Sequence, residues 1–268
     1  MATAVAPKTA VDRAPRRPLP RWVGGAVGIA GLLVVWQIAG LTVFHKSGTV
    51  PPPTTILSQM RKDGFTFYWE NAKVTLQEAF VGYLWGNALA LVLAFVVLIV
   101  PVFERPLLRL GVASYCLPII AIAPVLQILY NGQTPKVILA ALSVFFTTLV
   151  GTLVGLRAAD AISLDVVHAY GGNAFHKLVK VRIRAALPSI FVALRIAAPA
   201  AILGAIIGEY VGGESGLGIA MIASQSGLRV ATTWGIALVA TALAGVAYGI
   251  TALVDRLVTP WAPKGVRR

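Results

Sequence analysis

Long apolar stretches separated by short polar segments are the dominant pattern along this chain of 268 residues. A helix needs about 20 predominantly apolar residues to cross the hydrocarbon core of a bilayer. Five uncharged stretches reach this length: residues 23–44, 79–103, 110–130, 137–156 and 231–254. A sixth stretch, at residues 189–211, contains only two charged residues, Arg195 near its start and Glu209 near its end. The pattern therefore predicts an all-α membrane protein with six transmembrane helices.

The composition supports this prediction. The chain is 57% hydrophobic and 12% charged, whereas a soluble domain carries about 25% charged residues. This balance argues against both an ordinary soluble enzyme and a disordered chain. A single cysteine, Cys116, excludes a disulfide framework. We expect no catalytic residues and no metal site, because His168 and His176 occur without any further ligand pattern.

The positions of the basic residues predict the orientation in the membrane. The net charge is +13, which by itself is also typical of nucleic-acid binding. With the N-terminus inside, 17 of the 23 basic residues fall in predicted cytoplasmic segments and 6 fall outside. This bias follows the positive-inside rule. We therefore expect a multi-pass protein of the bacterial plasma (inner) membrane with both termini cytoplasmic, and no nucleic-acid partner.

The predicted domains follow from the same pattern. Residues 1–21 form a basic cytoplasmic tail, which we expect to lie near anionic membrane lipid. Residues 22–258 form the six-helix domain, and residues 259–268 form a second basic tail. The external segment at 45–73 begins a short amphipathic helix near 54–60. Short turns at 104–109 and 131–136 indicate that their flanking helices are antiparallel neighbours.

A polar, basic loop at residues 158–188 separates the fourth and fifth spans. Residues 164–169 are predicted to form a short helix, which Gly171 and Gly172 end by accepting positive φ. Asn173 is a suitable N-cap for a second helix, on which Phe175, Leu178 and Val179 share a face. Pro188 is predicted to mark the start of the fifth span. Such a helix–turn–helix offers a rigid projection for a partner protein.

This loop resembles the "EAA loop" in the permease subunits of bacterial ABC importers, whose pattern is EAA, three residues, Gly, nine residues, then I-x-L-P. Aligned on Gly171, Asp165 takes the place of the Glu, and Val181 takes that of the Ile. The sequence Ala185–Ala186–Leu187–Pro188 matches the "AALP" that often follows this motif in the nitrate, sulfonate and taurine branch.

Other segments resemble the same branch, in the same order along residues 50–258. Residues 50–54 are similar to its "LPSP" motif, and residues 75–83 to its "SL…GF" motif. Pro118 and Pro124 correspond to the prolines of "PPLAWIP". Glu209 followed by Glu214–Ser215–Gly216–Leu217–Gly218 is similar to "AE…ESGLG".

The resemblance implies a type I ABC importer permease with a methionine-importer-like fold. It implies a homodimer that forms the translocation path, two ATPase subunits, and a periplasmic or lipid-anchored substrate-binding protein. The chain has no G-x-x-x-x-G-K-[ST] motif, so we expect no cofactor in this chain and ATP bound by the partner ATPase. The implied solute is nitrate, a sulfonate or taurine, with a pyrimidine or thiamine-precursor compound as the alternative.

Two groups of residues are candidate sites. The loop residues implied to couple the permease to its ATPase are Asp165, Gly171, Gly172, Phe175 and Leu178. An ordinary capping acid and turn glycine are the alternative explanation for Asp165 and Gly171. Glu209 and Gln127 are candidates for the translocation path or gate, and both are equally compatible with hydrogen bonding between helices.

A self-sufficient secondary transporter or channel is the competing functional hypothesis. Such a protein would bury acidic residues along an ion pathway. The acidic residues near predicted spans all lie close to the span edges: Glu78, Glu104, Glu209 and Asp255. The sequence also contains no convincing internal repeat of the kind found in secondary transporters. Both features favour the permease.

Overall fold

The computed structural model describes residues 21–261, and these residues form helices without any β-strand. The all-α prediction is confirmed. The predicted basic tails lie outside the described residues, apart from Arg21 and residues 259–261. In chain order the helices are α1 (Arg21–Leu41), α2 (Pro53–Asp63), α3 (Phe65–Ile99), α4 (Glu104–Cys116), α5 (Ile119–Leu129), α6 (Thr134–Arg157), α7 (Ala161–Ala169), α8 (Ala174–Lys177), α9 (Ile183–Gly212), α10 (Leu217–Ser226) and α11 (Val230–Val258).

Five helical stretches in the described part are long and apolar enough to span a membrane: Val23–Leu41, Phe65–Ile99, Thr134–Arg157, Phe175–Gly212 and Val230–Val258. The stretch at 110–130, predicted as one span, is divided between α4 and α5. Leu117 is extended, with φ −70° and ψ 123°, because a residue before proline is disfavoured in the α conformation. Pro118 then caps α5. The third span is therefore two short helices meeting at a proline.

The described residues belong to two compact units, residues 21–54 and 55–261. In the first unit α1 leaves most of its apolar side chains exposed. Its end is fastened to the following segment, because Gln37 Nε2 donates to Thr54 Oγ1 at 3.0 Å. Gly40 lies so close to Pro52 that a Cβ atom there would meet the proline ring at 2.8–3.1 Å.

In the second unit, α6 and α9 form the centre, and α3 packs against both. Small residues allow the close approach of these helices. A Cβ atom on Gly155 would meet Ser189 Cβ at 2.8 Å and Ala186 O at 2.9 Å. A Cβ atom on Gly86 would meet Val144 and the backbone of Ala141. The helices therefore pack backbone to backbone.

The helix α3 is longer than a bilayer requires. Its 35 residues span about 52 Å at 1.5 Å per residue, against about 30 Å of hydrocarbon. Its first turns pack with α10 and the start of α11 through a separate apolar cluster that contains Tyr68, Ala72, Leu217 and Ile236. We call this side of the second unit the α10 end, and the opposite side, where α6 ends and α9 begins, the α7 end.

The start of α9 at the α7 end differs from the sequence prediction. Pro188 does not start the fifth span, because it lies inside α9, which begins at Ile183. Farther along α9, the Arg195 guanidinium lies 3.9 Å from Asp255 and 5.2 Å from the ring centroid of Tyr248. Both partners belong to α11. The charge of Arg195 is therefore paired within the bundle.

Candidate functional site

The first candidate site is the α7–α8 loop, residues 158–182, which connects α6 with α9. Its first helix starts at a capped turn, because the Asp160 carboxylate accepts hydrogen bonds from the Ser163 N–H at 3.3 Å and the Ser163 hydroxyl at 3.2 Å. The helix α7 therefore begins at Ala161, three residues before the predicted start at 164.

Two glycines end α7 as predicted, although only Gly171 adopts the predicted positive φ. Gly171 has φ 75°, in the left-handed region that glycine adopts without a steric penalty. The Gly171 N–H donates to His168 O at 2.9 Å, and the Gly172 N–H donates to Val167 O at 2.8 Å. These bonds satisfy carbonyl groups that the end of a helix leaves free. The predicted break at the glycine pair is confirmed.

The second helix of the loop leads directly into α9. Asn173 caps it as predicted, since its Oδ1 accepts from the His176 N–H at 3.0 Å. After α8 the chain makes one π-helical turn at Leu178–Arg182 and continues without interruption into α9. The second helix of the loop and α9, a central helix of the bundle, therefore form one continuous helical rod.

The loop exposes apolar side chains. The exposed fraction is 73% for Ile162, 89% for Tyr170 and 68% for Phe175. Asp165 is also exposed, and no ion pair involves it within residues 21–261. Leu178 is half-buried at the π-helical turn. The loop therefore presents exposed aromatic and aliphatic groups together with the exposed carboxylate of Asp165.

The helix α7 is loosely attached to the bundle. Its main contacts with another element in the described part of the chain are with α8. A cavity of about 300 Å³ lies below it, lined by Val97, Leu98, Leu153, Leu156, Leu164 and Arg182. Because so little packing holds α7 to α3 and α6, the loop is free to be held by another surface.

The second candidate site is a buried cluster at the α10 end, centred on Glu209. The Glu209 side chain has no exposed surface. Its Oε1 accepts from the Thr75 hydroxyl at 2.6 Å, and its Oε2 accepts from the Gly218 N–H at 2.6 Å. The Thr75 oxygen in turn accepts from the Leu217 N–H at 2.9 Å. Glu209 and Thr75 together cap the N-terminus of α10.

Two further charged residues complete the cluster. Lys136, in the first turn of α6, is only 4% exposed, and Glu78 of α3 is only 1% exposed. The Lys136 Nζ lies 3.6 Å from Glu78 Oε1. Gly208 leaves the space that the lysine needs, because a Cβ atom on Gly208 would meet Lys136 Cα at 2.8 Å. Side chains from α3, α6 and α9 therefore meet at the N-terminus of α10.

Residues 86–261 match the protein family described as "Binding-protein-dependent transport system inner membrane component". The match covers more than half of the chain and includes the α7–α8 loop and Glu209. The chain belongs to this family.

Proteins that are similar to this chain over most of its length are also named as transport permeases. The chain is 31% identical over 203 residues to a "Probable ABC transporter permease protein" of Haemophilus influenzae, covering 74% of this chain and 81% of that protein. It is 30% identical over 255 residues to the riboflavin transport system permease protein RibX of Chloroflexus aurantiacus, covering 91% and 94%. It is 25% identical over 261 residues to the taurine transport system permease protein TauC of Escherichia coli, covering 92% of each.

Membership confirms the predicted type I ABC importer permease fold and a multi-pass protein of the inner membrane. Binding-protein-dependent permeases work with an ATPase and a substrate-binding protein. Of the two functional hypotheses, the comparisons therefore support the ABC importer permease subunit.

The remaining predicted site residue of the permease, Gln127, lies apart from the loop. It is half-buried on α5, and its Nε2 donates to Gly208 O of α9 at 3.4 Å. A Cβ atom on Gly212 would meet its amide at 2.7–2.9 Å. The structure thus brings Gln127 to the last turns of α9 near Glu209, and keeps the loop residues together at the opposite end.

Of the four residues in the buried cluster, sequence reasoning predicted Glu209 as a site residue and missed Thr75, Lys136 and Glu78. Lys136 is one of the six basic residues that the predicted topology places outside, and Glu78 lies at the edge of a predicted span. A lysine that follows a proline in the first turn of an apolar helix looks like an ordinary flanking charge. The available signal is that Glu78 belongs to a helical continuation of the second span, which starts far upstream at Phe65.

Proposed function

We propose that the chain is the membrane-spanning subunit of an ATP-driven importer, in which two copies form the path for a small solute. We propose nitrate, a sulfonate or taurine as the solute, with a pyrimidine or thiamine-precursor compound as the alternative. Both termini and the α7 end face the cytoplasm, as the distribution of basic residues indicates. The chain holds no cofactor, and ATP binds to the partner ATPase.

The observation that carries this proposal is the exposed apolar surface of the α7–α8 loop. Tyr170 and Phe175 are largely exposed aromatic side chains in a segment that the orientation places in water. Exposed aromatic groups at the centre of a polar surface are typical of contact sites on proteins. We assign this surface to the ATPase, with Asp165 as its exposed charge and Gly171 and Gly172 as the turn that shapes it.

The connection of the loop to α9 indicates how movement of the loop reaches the transmembrane helices. The helical rod from Phe175 to Gly212 joins the loop to α9, and α9 contacts α3, α5, α6, α10 and α11. Leu178 lies at its π-helical turn, at the point where the loop meets the bundle. Movement of the loop with the ATPase therefore moves the helix that touches most of the bundle.

The solute is the less specific part of the proposal. The relatives are named for riboflavin and taurine, which share no chemical group that a site in this chain would have to recognise. In importers of this kind a separate binding protein delivers the solute. Thermal-shift screening of that binding protein against taurine, alkanesulfonates, nitrate, riboflavin and formylaminopyrimidine would identify it, and stabilisation by riboflavin alone would contradict the solutes proposed first.

Co-purification tests the loop assignment. The variant Asp165→Arg reverses a charge on the proposed contact surface, and we expect it to abolish co-purification of the ATPase. The matched control is Glu214→Arg, which reverses an exposed charge at the α10 end and should leave the complex intact. Phe175→Asp should act like Asp165→Arg. An intact complex in both loop variants would remove this surface as the ATPase contact.

A further inference from the structure

The buried cluster at the α10 end has an unbalanced set of charged groups. Glu78 and Glu209 are 1% and 0% exposed, and Lys136 is 4% exposed. With both acids ionised, the three residues would carry a net charge of −1 away from solvent. An uncompensated buried charge is costly, and a buried acid normally becomes neutral instead.

The surroundings of the two acids differ. The Glu209 carboxylate accepts hydrogen bonds from Thr75 and Gly218, and such bonds favour the ionised form of an acid. Neither oxygen of Glu78 has a hydrogen-bond partner among the described residues. Glu78 lies one helical turn after Thr75 on α3, and the Thr75 hydroxyl binds the Glu209 carboxylate, so the two acids are close neighbours. Two ionised carboxylates in this position only repel.

A single proton removes both difficulties. A protonated carboxyl is a hydrogen-bond donor, whereas an ionised one is an acceptor only. If Glu78 is protonated, its O–H donates to the Glu209 carboxylate, and the pair becomes an acid–carboxylate hydrogen bond. The remaining negative charge on Glu209 is then balanced by Lys136. The cluster as a whole is neutral.

We propose that Glu78 and Glu209 form a proton-binding site, in which one proton resides on Glu78 and is shared with Glu209 beside the Lys136 ammonium. Binding is reversible and requires no other reactant, because the proton is taken from water and returned to it. The inference is independent of the solute that the importer carries.

Among residues 21–261, no other charged group of the packed helices is found at this site. The helix α10 contributes only backbone N–H groups, from Leu217 and Gly218, and its sequence contains no ionisable side chain. The neighbouring side chain of α5 is the neutral Gln127. On α11, Asp255 and Tyr248 lie with Arg195, toward the α7 end. In the described part of the chain, the charged groups at this site are therefore Glu78, Glu209 and Lys136.

The proton should stabilise the closed arrangement of the α10 end. Its loss leaves two facing carboxylates between α3 and α9, and their repulsion favours separation of these helices or entry of water. Because the protonated form is the stable one, the contribution is present at neutral pH and is lost as the pH rises. While the folded chain holds this proton and the unfolded chain does not, the equilibrium constant for unfolding should rise about tenfold per pH unit, and the rise should end once the folded chain has lost the proton.

Infrared spectroscopy of the purified full-length chain in detergent tests the proposal. At neutral pH we expect the C=O stretching band of a protonated carboxylic acid in the wild type and its loss in Glu78→Gln. The control is Asp255→Asn, which alters the partly buried acid paired with Arg195 and should retain the band. A wild type without this band, or a band that persists in Glu78→Gln, would overturn the assignment.

A stability measurement provides an independent readout. Glu78→Gln copies the size and charge of the protonated acid, so it should fold like the wild type at neutral pH. It should also resist alkaline pH, whereas the wild type should lose stability there. Failure of Glu78→Gln to fold, or equal loss of stability by both proteins at alkaline pH, would contradict the proton-binding site.

Discussion

The two glycines that end α7 are required for different reasons. Gly171 has φ 75°, but a Cβ atom there would meet nothing within 4 Å. Its constraint is therefore backbone conformation alone. Gly172 has no positive φ, but a Cβ atom there would meet Val167 O at 2.6 Å. Its constraint is space.

This difference predicts opposite outcomes for two sets of variants. Gly171→Asn should keep ATPase co-purification close to that of the wild type, because asparagine tolerates the left-handed region. Gly171→Val should abolish it, since a β-branched residue there is strained by about 1–3 kcal/mol. Gly172→Asn should be as harmful as Gly171→Val. Equal binding of the ATPase by Gly171→Asn and Gly172→Asn would contradict this account of the turn.

Thr75 has a structural role that its sequence context does not reveal. Its hydroxyl donates to Glu209 and accepts from the Leu217 N–H, so a single oxygen links α3, α9 and α10. Thr75→Val has nearly the same shape but leaves the buried N–H without an acceptor.

We therefore expect Thr75→Val to cost about 1–3 kcal/mol, which lowers the unfolding temperature by about 2–4 °C for each kcal/mol in a chain of roughly this size. Thr75→Ser keeps the hydroxyl and should lie close to the wild type. Thermal unfolding in detergent measures both variants. Equal unfolding temperatures for Val and Ser at this position would show that the hydroxyl is not needed.

At the scale of elements, hydropathy predicted where the long helices are but not where one of them breaks. The stretch at 110–130 is uniformly apolar, and an apolar run does not distinguish one helix from two. The break follows from Pro118, whose preceding residue Leu117 takes an extended conformation. Pro124 lies inside α5 without ending it. Which proline breaks a helix is decided by its neighbours.

The packing of α3 against α6 depends on glycine in a way that can be tested by one methyl group. Gly86→Ala places a Cβ atom against Ala141 and Val144, and overpacking of this kind costs about 1–3 kcal/mol. Gly249→Ala on α11 is the matched control, because nothing lies within 4 Å of its Cβ position. We expect Gly86→Ala to lower the unfolding temperature in detergent and Gly249→Ala to leave it unchanged or raise it. The reverse order would contradict the described packing.

At the scale of the whole molecule, the sequence was sufficient for the fold class, the family and the loop. Each of these depends on local patterns, such as apolar length, a glycine pair or an N-cap. The buried cluster depends on residues from three helices that are far apart in the chain: Glu78 and Thr75 on α3, Lys136 on α6 and Glu209 on α9. No local pattern distinguishes Lys136 from a solvated flanking lysine, so only the tertiary structure reveals its ion pair with Glu78.

The predicted orientation can be tested by thiol labelling. In a Cys116→Ser background, Glu214→Cys at the α10 end should react with a membrane-impermeant maleimide added to intact cells. Asp165→Cys, in the α7–α8 loop, should react only after the membrane is opened. Both native acids are exposed, so access to reagent depends on the side of the membrane. Labelling of Asp165→Cys in intact cells would reverse the orientation and remove the loop from the ATPase side.

The central claim is that this chain transports solute only when an ATPase acts on its α7–α8 loop. The most direct measurement is solute uptake into proteoliposomes that contain the chain with or without its ATPase and binding protein. We predict uptake that requires both partners and ATP, and that is lost in Phe175→Asp while the variant still inserts and folds. Uptake by the chain alone, without ATP, would contradict this account.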